Sequence, residues 1–186
     1  MGDAGERGWP GRRGGCDIGV MSLSLGIEEL LGYTDGERTK WDDWFRAQGP
    51  AALQAAVQRE GRFPTVWSLV DHIFLVEKRH TQRLKQESPL TEQTGVTEPD
   101  AQALFAYGRA ERSELAAVAR AMTPADGARV IEFQFRDQHY RFTARKLLFH
   151  ILVHEIRHWA QIATAVRNAG FEPPGFHDLL FTAAME

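Results

Sequence analysis

Cysteine is almost missing from this chain, with one thiol, Cys16, in 186 residues. An intrachain disulfide framework is therefore excluded. Long hydrophobic runs are missing too. No stretch nears the roughly 18 consecutive apolar residues of a membrane helix, so a membrane partner is not expected. Positive charge is not in excess: 22 Lys and Arg stand against 25 Asp and Glu, a formal net charge of −3. That balance supplies no basic field for nucleic acid. The charges are interspersed along the chain, as on solvated helix faces. No apolar export segment is visible, and a reducing cytoplasm is the expected compartment.

What is present suffices for one domain: 43% of residues are hydrophobic, enough for a substantial core. Residues 1–20 stand apart, with seven glycines, three arginines and little to bury. This composition cannot order itself. We read residues 1–21 as a disordered N-terminal extension, from an upstream start or an expression remnant, and residues 22–186 as the domain. Cys16 falls in the extension and carries no catalytic weight.

The spacing of Ile27, Leu30, Leu31, Thr34, Trp41 and Phe45 predicts a helix from Ser22 to about Gln48, weakened by Gly32 and Gly36 and stopped at Gly49-Pro50. A short helix can follow over 51–58. Pro64 suits the first turn of a second helix reaching Lys85, with Val66, Leu69, Ile73 and Val76 inward. His72 lies three residues after Leu69 and four before Val76, and so shares their face. After a polar linker over 88–99, Thr97-x-x-Asp100 marks the start of a third helix over 100–122.

Ile131-Glu-Phe133-Gln-Phe135 is the one stretch with period-2 alternation, and a polar turn and Tyr140 and Phe142 follow it. This predicts a small hairpin. The last long helix runs from an N-cap at Thr143 to a C′ residue at Gly170. It is apolar nearly all round, which predicts a central position. Pro173-Pro174 ends it, and residues 176–185 can form a short closing helix. The expected fold class is all-α: a four-helix bundle with a small extended hairpin before its last long helix.

The chemistry concentrates in His150-Ile-Leu-Val-His154-Glu155-Ile-Arg-His158. Residues four apart on a helix are roughly 5–6 Å apart between Cβ atoms, within reach of one metal ion. Imidazoles in an apolar stripe are costly unless hydrogen-bonded or ligated. His154 and His158 are the candidate ligand pair. His72 is the best third ligand, being the one inward-facing histidine on another long helix. His150 is read as a supporting group one turn earlier. His80, His139 and His177 sit in polar or loop contexts and are expected to be solvent-exposed. Three neutral imidazoles suit zinc, nickel, copper or iron. With positions left open, such a site is of catalytic type, and a bound water would have its pKa lowered towards about 7.

His154-Glu155-Ile-Arg-His158 also fits H-E-x-x-H, the zinc peptidase signature with the glutamate as general base. His177 and Glu172 are the downstream candidates for its third ligand, but Pro173, Pro174 and Gly175 intervene where a helix is wanted. Glu155 lies about 100° round the helix from His154, which turns it away from a metal. It is kept only as a supporting or base residue.

The same residues resemble the DinB-like (DinB/YfiT-like) family, whose last helix reads much like H-x-x-N-H-E-x-x-H-R-G-Q. The resemblance spans about Ser22 to the C-terminus. Besides His150 to Gln161, it rests on the hairpin, on Val70-Asp71-His72 with Glu77 beyond, and on Pro-Pro-Gly-Phe-x-Asp-Leu-Leu-Phe over 173–181. It implies metal ligands at His72, His154 and His158, with zinc or nickel as the expected ion. Gln161 is retained and would orient a ligand. Trp159 stands where arginine is usual and Ala160 where glycine is usual, so substrate recognition beside the metal is the property most exposed to change.

The family implies a metal-dependent hydrolase or a low-molecular-weight thiol transferase acting on a small molecule. It also implies a link to stress response, and a homodimer. The rival readings are a metal- or ligand-binding bundle without turnover and, further off, the peptidase.

Overall fold

A computed structural model describes residues 24–57, 62–88 and 90–184. The reading of residues 1–21 lies outside them. Four long helices dominate: α1 (Ile27–Gln48), α3 (Val66–Lys85), α4 (Ala101–Ala121) and α6 (Ala144–Asn168). The short helices α2 (Pro50–Leu53) and α5 (Pro124–Ala128), and the strands β1 (Val130–Phe135) and β2 (Gln138–Thr143), connect them. Helix α3 packs on α4 and α6, and α1 packs on the same two helices. No described helix is long and apolar enough to cross a membrane.

The helix starts follow local chemistry. Asp100 caps α4 by accepting from the backbone N–H groups of Gln102 and Ala103 at 2.8 and 3.2 Å. Thr143 caps α6 by accepting from Lys146 N–H at 3.2 Å. The expected place of Pro64 inside the second helix is corrected. Thr65 is the cap, with its hydroxyl oxygen accepting from Ser68 N–H. Pro64 lies outside, where its carbonyl accepts from Val57 N–H at 3.0 Å and ties the connector to the helix start.

At the far end of α6, Gly170 adopts φ 89°, and Phe171 N–H reaches back to the Val166 carbonyl at 3.0 Å. The expected closing helix is only a 3₁₀ turn, Leu179–Phe181. Its Leu180 and Phe181 are exposed, so no apolar face anchors a longer helix. Helix α6 is not buried all round either, because Val153 and Arg157 face solvent.

In the hairpin, Phe133 pairs with Tyr140 and Ile131 with Phe142. The two-residue turn places Arg136 at φ 56°, the left-handed conformation such tight turns need.

The core has two apolar clusters. Trp41, Phe45, Phe74, Phe105 and Trp159 belong to one, and Leu30, Leu84, Leu115, Leu147 and Leu152 to the other. Each long helix crosses from one cluster to the other, and at the crossing each contributes a buried charge to one shared layer: Arg38, Glu77, Arg112 and Glu155. Arg38 donates to Glu155 Oε1 from Nε at 2.6 Å and to Glu155 Oε2 at 2.8 Å. It also donates to both Glu77 oxygens, at 3.1 and 2.6 Å. Arg112 pairs with Glu155, with Glu77 at 3.2 Å, and with the Thr34 hydroxyl at 2.9 Å. Trp159 Nε1–H donates to Glu155 Oε1 at 3.0 Å.

Burial alone would raise the Glu155 pKa, but the two guanidiniums hold it below the usual carboxylate value. Gly108 makes room for this layer. Its carbonyl accepts from Arg38 at 2.9 Å, and a Cβ there would lie 2.7 Å from the Phe74 ring.

Two outcomes follow for denaturant unfolding. Glu155→Ala leaves two buried guanidiniums short of charge and should cost about 3–5 kcal/mol. Gly108→Ala should cost about 1–3 kcal/mol by overpacking against Phe74. A midpoint unchanged from wild type in either variant would contradict this account of the layer.

Candidate metal centre

Helix α6 turns one face to the ion layer and another to α3, and on that second face its histidines meet His72. His158 Nε2 lies 3.0 Å from His154 Nε2, which lies 3.3 Å from His72 Nε2. One nitrogen from each of the three rings falls within 4.8 Å of the others. The ring planes are inclined to one another by 64°, 83° and 81°. Nitrogens held about 2.0–2.1 Å from one ion at angles near 90–110° would be roughly 3.0–3.4 Å apart. The spacing therefore fits a single transition-metal ion.

The protonation state fits as well. Burial, with His158, Arg62 and Arg79 close by, pushes the His72 pKa down to about 3. Burial, with His158 and His72, pushes His154 down to about 2. The His158 pKa is also lowered by burial, partly countered by Gln161. Gln161 Oε1 lies 2.6 Å from His158 Nδ1. An Nδ1–H donated to that oxygen leaves the Nε2 lone pair free for a metal.

The other sequence candidates fall elsewhere. His150 has its ring 5.5 Å from that of His154 but is not among the converging nitrogens. Glu155 is corrected as a supporting or base residue of the metal. Its carboxylate is committed to Arg38, Arg112 and Trp159, on the neighbouring face of α6. Trp159 is corrected likewise as a pocket residue. It is buried and stacks on Trp41 at 5.5 Å, so the departure at position 159 affects the core and not the metal face. The H-E-x-x-H peptidase reading loses its general base with Glu155.

His177, offered as that peptidase's third ligand and expected to be exposed, is partly buried. It stacks on Trp41 at 5.2 Å with Nδ1 2.6 Å from Glu37 Oε2, which holds the C-terminal segment on α1. His139 is exposed as expected.

His80 is the histidine the sequence reading misplaced. It is half-buried, its ring lies 5.7 Å from His150, and burial with Arg83 pushes its pKa down to about 3. Its position eight residues after His72 was the available signal, since i and i+8 share one helix face. His80, His150, His72 and His154 all line a cleft of about 440 Å³ between α3, α6 and the hairpin.

The profile of the DinB family matches residues 21–186. A DinB-like protein from Bacillus subtilis, YjoA, has a similar crystal structure, with a TM-score of 0.55 at 16% identity. The similarity covers 82% of this chain and 96% of that one. At that identity it speaks for the fold alone. No curated protein matches the chain.

The depressed histidine pKa values set a pH dependence for the metal-free protein. Below about pH 6.5 the unfolded chain binds protons that the folded imidazoles refuse, so stability falls with pH until about 3. Thermal melts between pH 7.5 and 4.5 should show this decline. It should be smaller in a His72→Gln/His154→Gln variant, and an equal decline would contradict the linkage.

Proposed function

The chain belongs to the DinB family, and from that premise we propose that it is a four-helix-bundle metalloprotein acting on a small molecule. His72, His154 and His158 hold one divalent transition metal, zinc or nickel, and the reaction is hydrolysis or transfer of a low-molecular-weight thiol. The observation that carries this reading is the convergence of three imidazole nitrogens from α3 and α6 at metal-sized separations. The metal would lower the pKa of a bound water or hold a thiol as thiolate.

The chain's own residues divide the remaining work. Gln161 orients His158 through Nδ1, and burial keeps the imidazoles unprotonated and ready to bind. A site of three protein ligands leaves positions for substrate, and His72 and His154 border the cleft from which substrate would arrive. That cleft favours turnover over a purely structural ion, which would be sealed among side chains.

Elemental analysis of untagged protein, purified without a metal-affinity column, tests the reading. Wild type should carry about one zinc or nickel per chain, and His72→Ala, His154→Ala and His158→Ala should each lose it while keeping their helical circular dichroism. A folded wild type that takes up neither ion on addition would overturn the assignment.

A further inference from the structure

We propose that the cleft beside the histidine trio selects small amphipathic anions: a carboxylate or phosphate headgroup on an apolar body about the size of an aryl ring. The inference deepens the metal reading and rests on it for the chemistry the bound anion would meet, but the binding itself draws on different residues.

Its walls combine two features. The first is uncompensated positive charge. Arg62, Arg79, Arg83 and Lys146 line the cleft, and no carboxylate lines it with them. The contacts these cations make are with neutral groups. Arg79 Nε donates to the Thr91 carbonyl at 2.9 Å, and Arg83 lies 3.1 Å from His80 Nδ1. Arg83 and Arg62 sit over the rings of Phe133 and Phe63 at 4.3 and 5.1 Å. Among the described residues, none of the four meets a carboxylate within ion-pair distance. Elsewhere Lys78, Lys85, Arg109 and Arg141 each do.

The crowding is unfavourable without a ligand: burial, and then Arg79, lower the pKa of Arg83. A divalent ion on the trio adds positive potential at the same place.

The second feature is the aromatic wall of the hairpin. Phe133, Phe135, Tyr140 and Phe142 border the cleft, opposite Val76 and Leu147. Phe135 and Tyr140 are 44% and 40% exposed, so they are not held there by core packing. A cleft of about 440 Å³ lies within the size range of small-molecule sites. A cation would be repelled, and a small hydrophilic anion would leave the aromatic wall unused. An anion with an apolar body satisfies both, with a guanidinium fork on the oxyanion and rings against the body.

The test uses 4-phenylbutyrate and 4-phenylbutylamine, which share a body and differ in headgroup charge. Binding of each to the full chain is measured by calorimetry, with zinc loaded and in the metal-free His72→Ala/His158→Ala variant. The carboxylate should bind at least about tenfold more tightly than the amine in both proteins, and more weakly as salt rises. Arg83→Met and the exposed Lys146→Gln should each weaken it by roughly threefold or more. Equal binding of the two probes, or none of either, would overturn the proposal. So would a preference that disappears with the metal, since the anion would then be bound by the ion and not by the cleft. Zinc uptake without headgroup preference leaves the metal reading standing and removes only this one; preference without zinc uptake does the reverse.

Discussion

Four charges in the middle of the core constrain this molecule more than any apolar contact. Arg38, Glu77, Arg112 and Glu155 come one from each long helix, and their guanidiniums and carboxylates interlock in one layer. Taken out of water singly, any of them would be prohibitive; together they are charge-balanced and multiply hydrogen-bonded. Such a layer tolerates little sliding. A helix displaced along its axis by one turn would carry its charge about 5.4 Å into an apolar cluster. The layer thereby sets the axial register of α1, α3, α4 and α6, which oil-like packing alone would leave loosely specified.

Register is what the metal site needs. His72 lies five residues before Glu77 on α3, and His154 and His158 flank Glu155 on α6. The positions of the imidazoles relative to one another therefore follow from how Glu77 and Glu155 are held by the same Arg38. The alternation His154, Glu155, His158, Trp159 reads as two interleaved stripes of one helix. One stripe faces the cleft and the other faces the ion layer and the tryptophan stack. A short motif that looks like a single catalytic signature is two structural instructions written on adjacent faces of one helix.

This division explains which parts were legible in the sequence. The long helices and the hairpin announce themselves through local periodicity and caps, as Asp100, Thr143 and Gly170 show. The His72, His154 and His158 grouping was legible because i,i+4 spacing is local and one inward histidine stood on another helix. The ion layer was not. Arg38 and Glu155 are 117 residues apart, and nothing near Arg38 separates it from the solvated charges of the same helix. Trp159 and Glu155 were misread for the same reason, since their roles are set by partners distant in sequence. His80 shows the converse error: a polar local context concealed a position on the same face as His72. His177 is held by a ring stack and a carboxylate on α1 that no spacing rule joins to the tail.

The hydrogen bond from Tyr33 to the His177 carbonyl, 2.5 Å long, has a topological meaning beyond local fastening. With Lys40 donating to the Phe176 carbonyl and Trp44 to that of Glu172, it lays the final segment along the first helix. Residues 172–177 are thereby laid against residues 33–44 of α1. The segment that leaves α6 is fastened to the helix that begins the bundle, so the first and last long helices are clamped to each other outside the ion layer as well as within it.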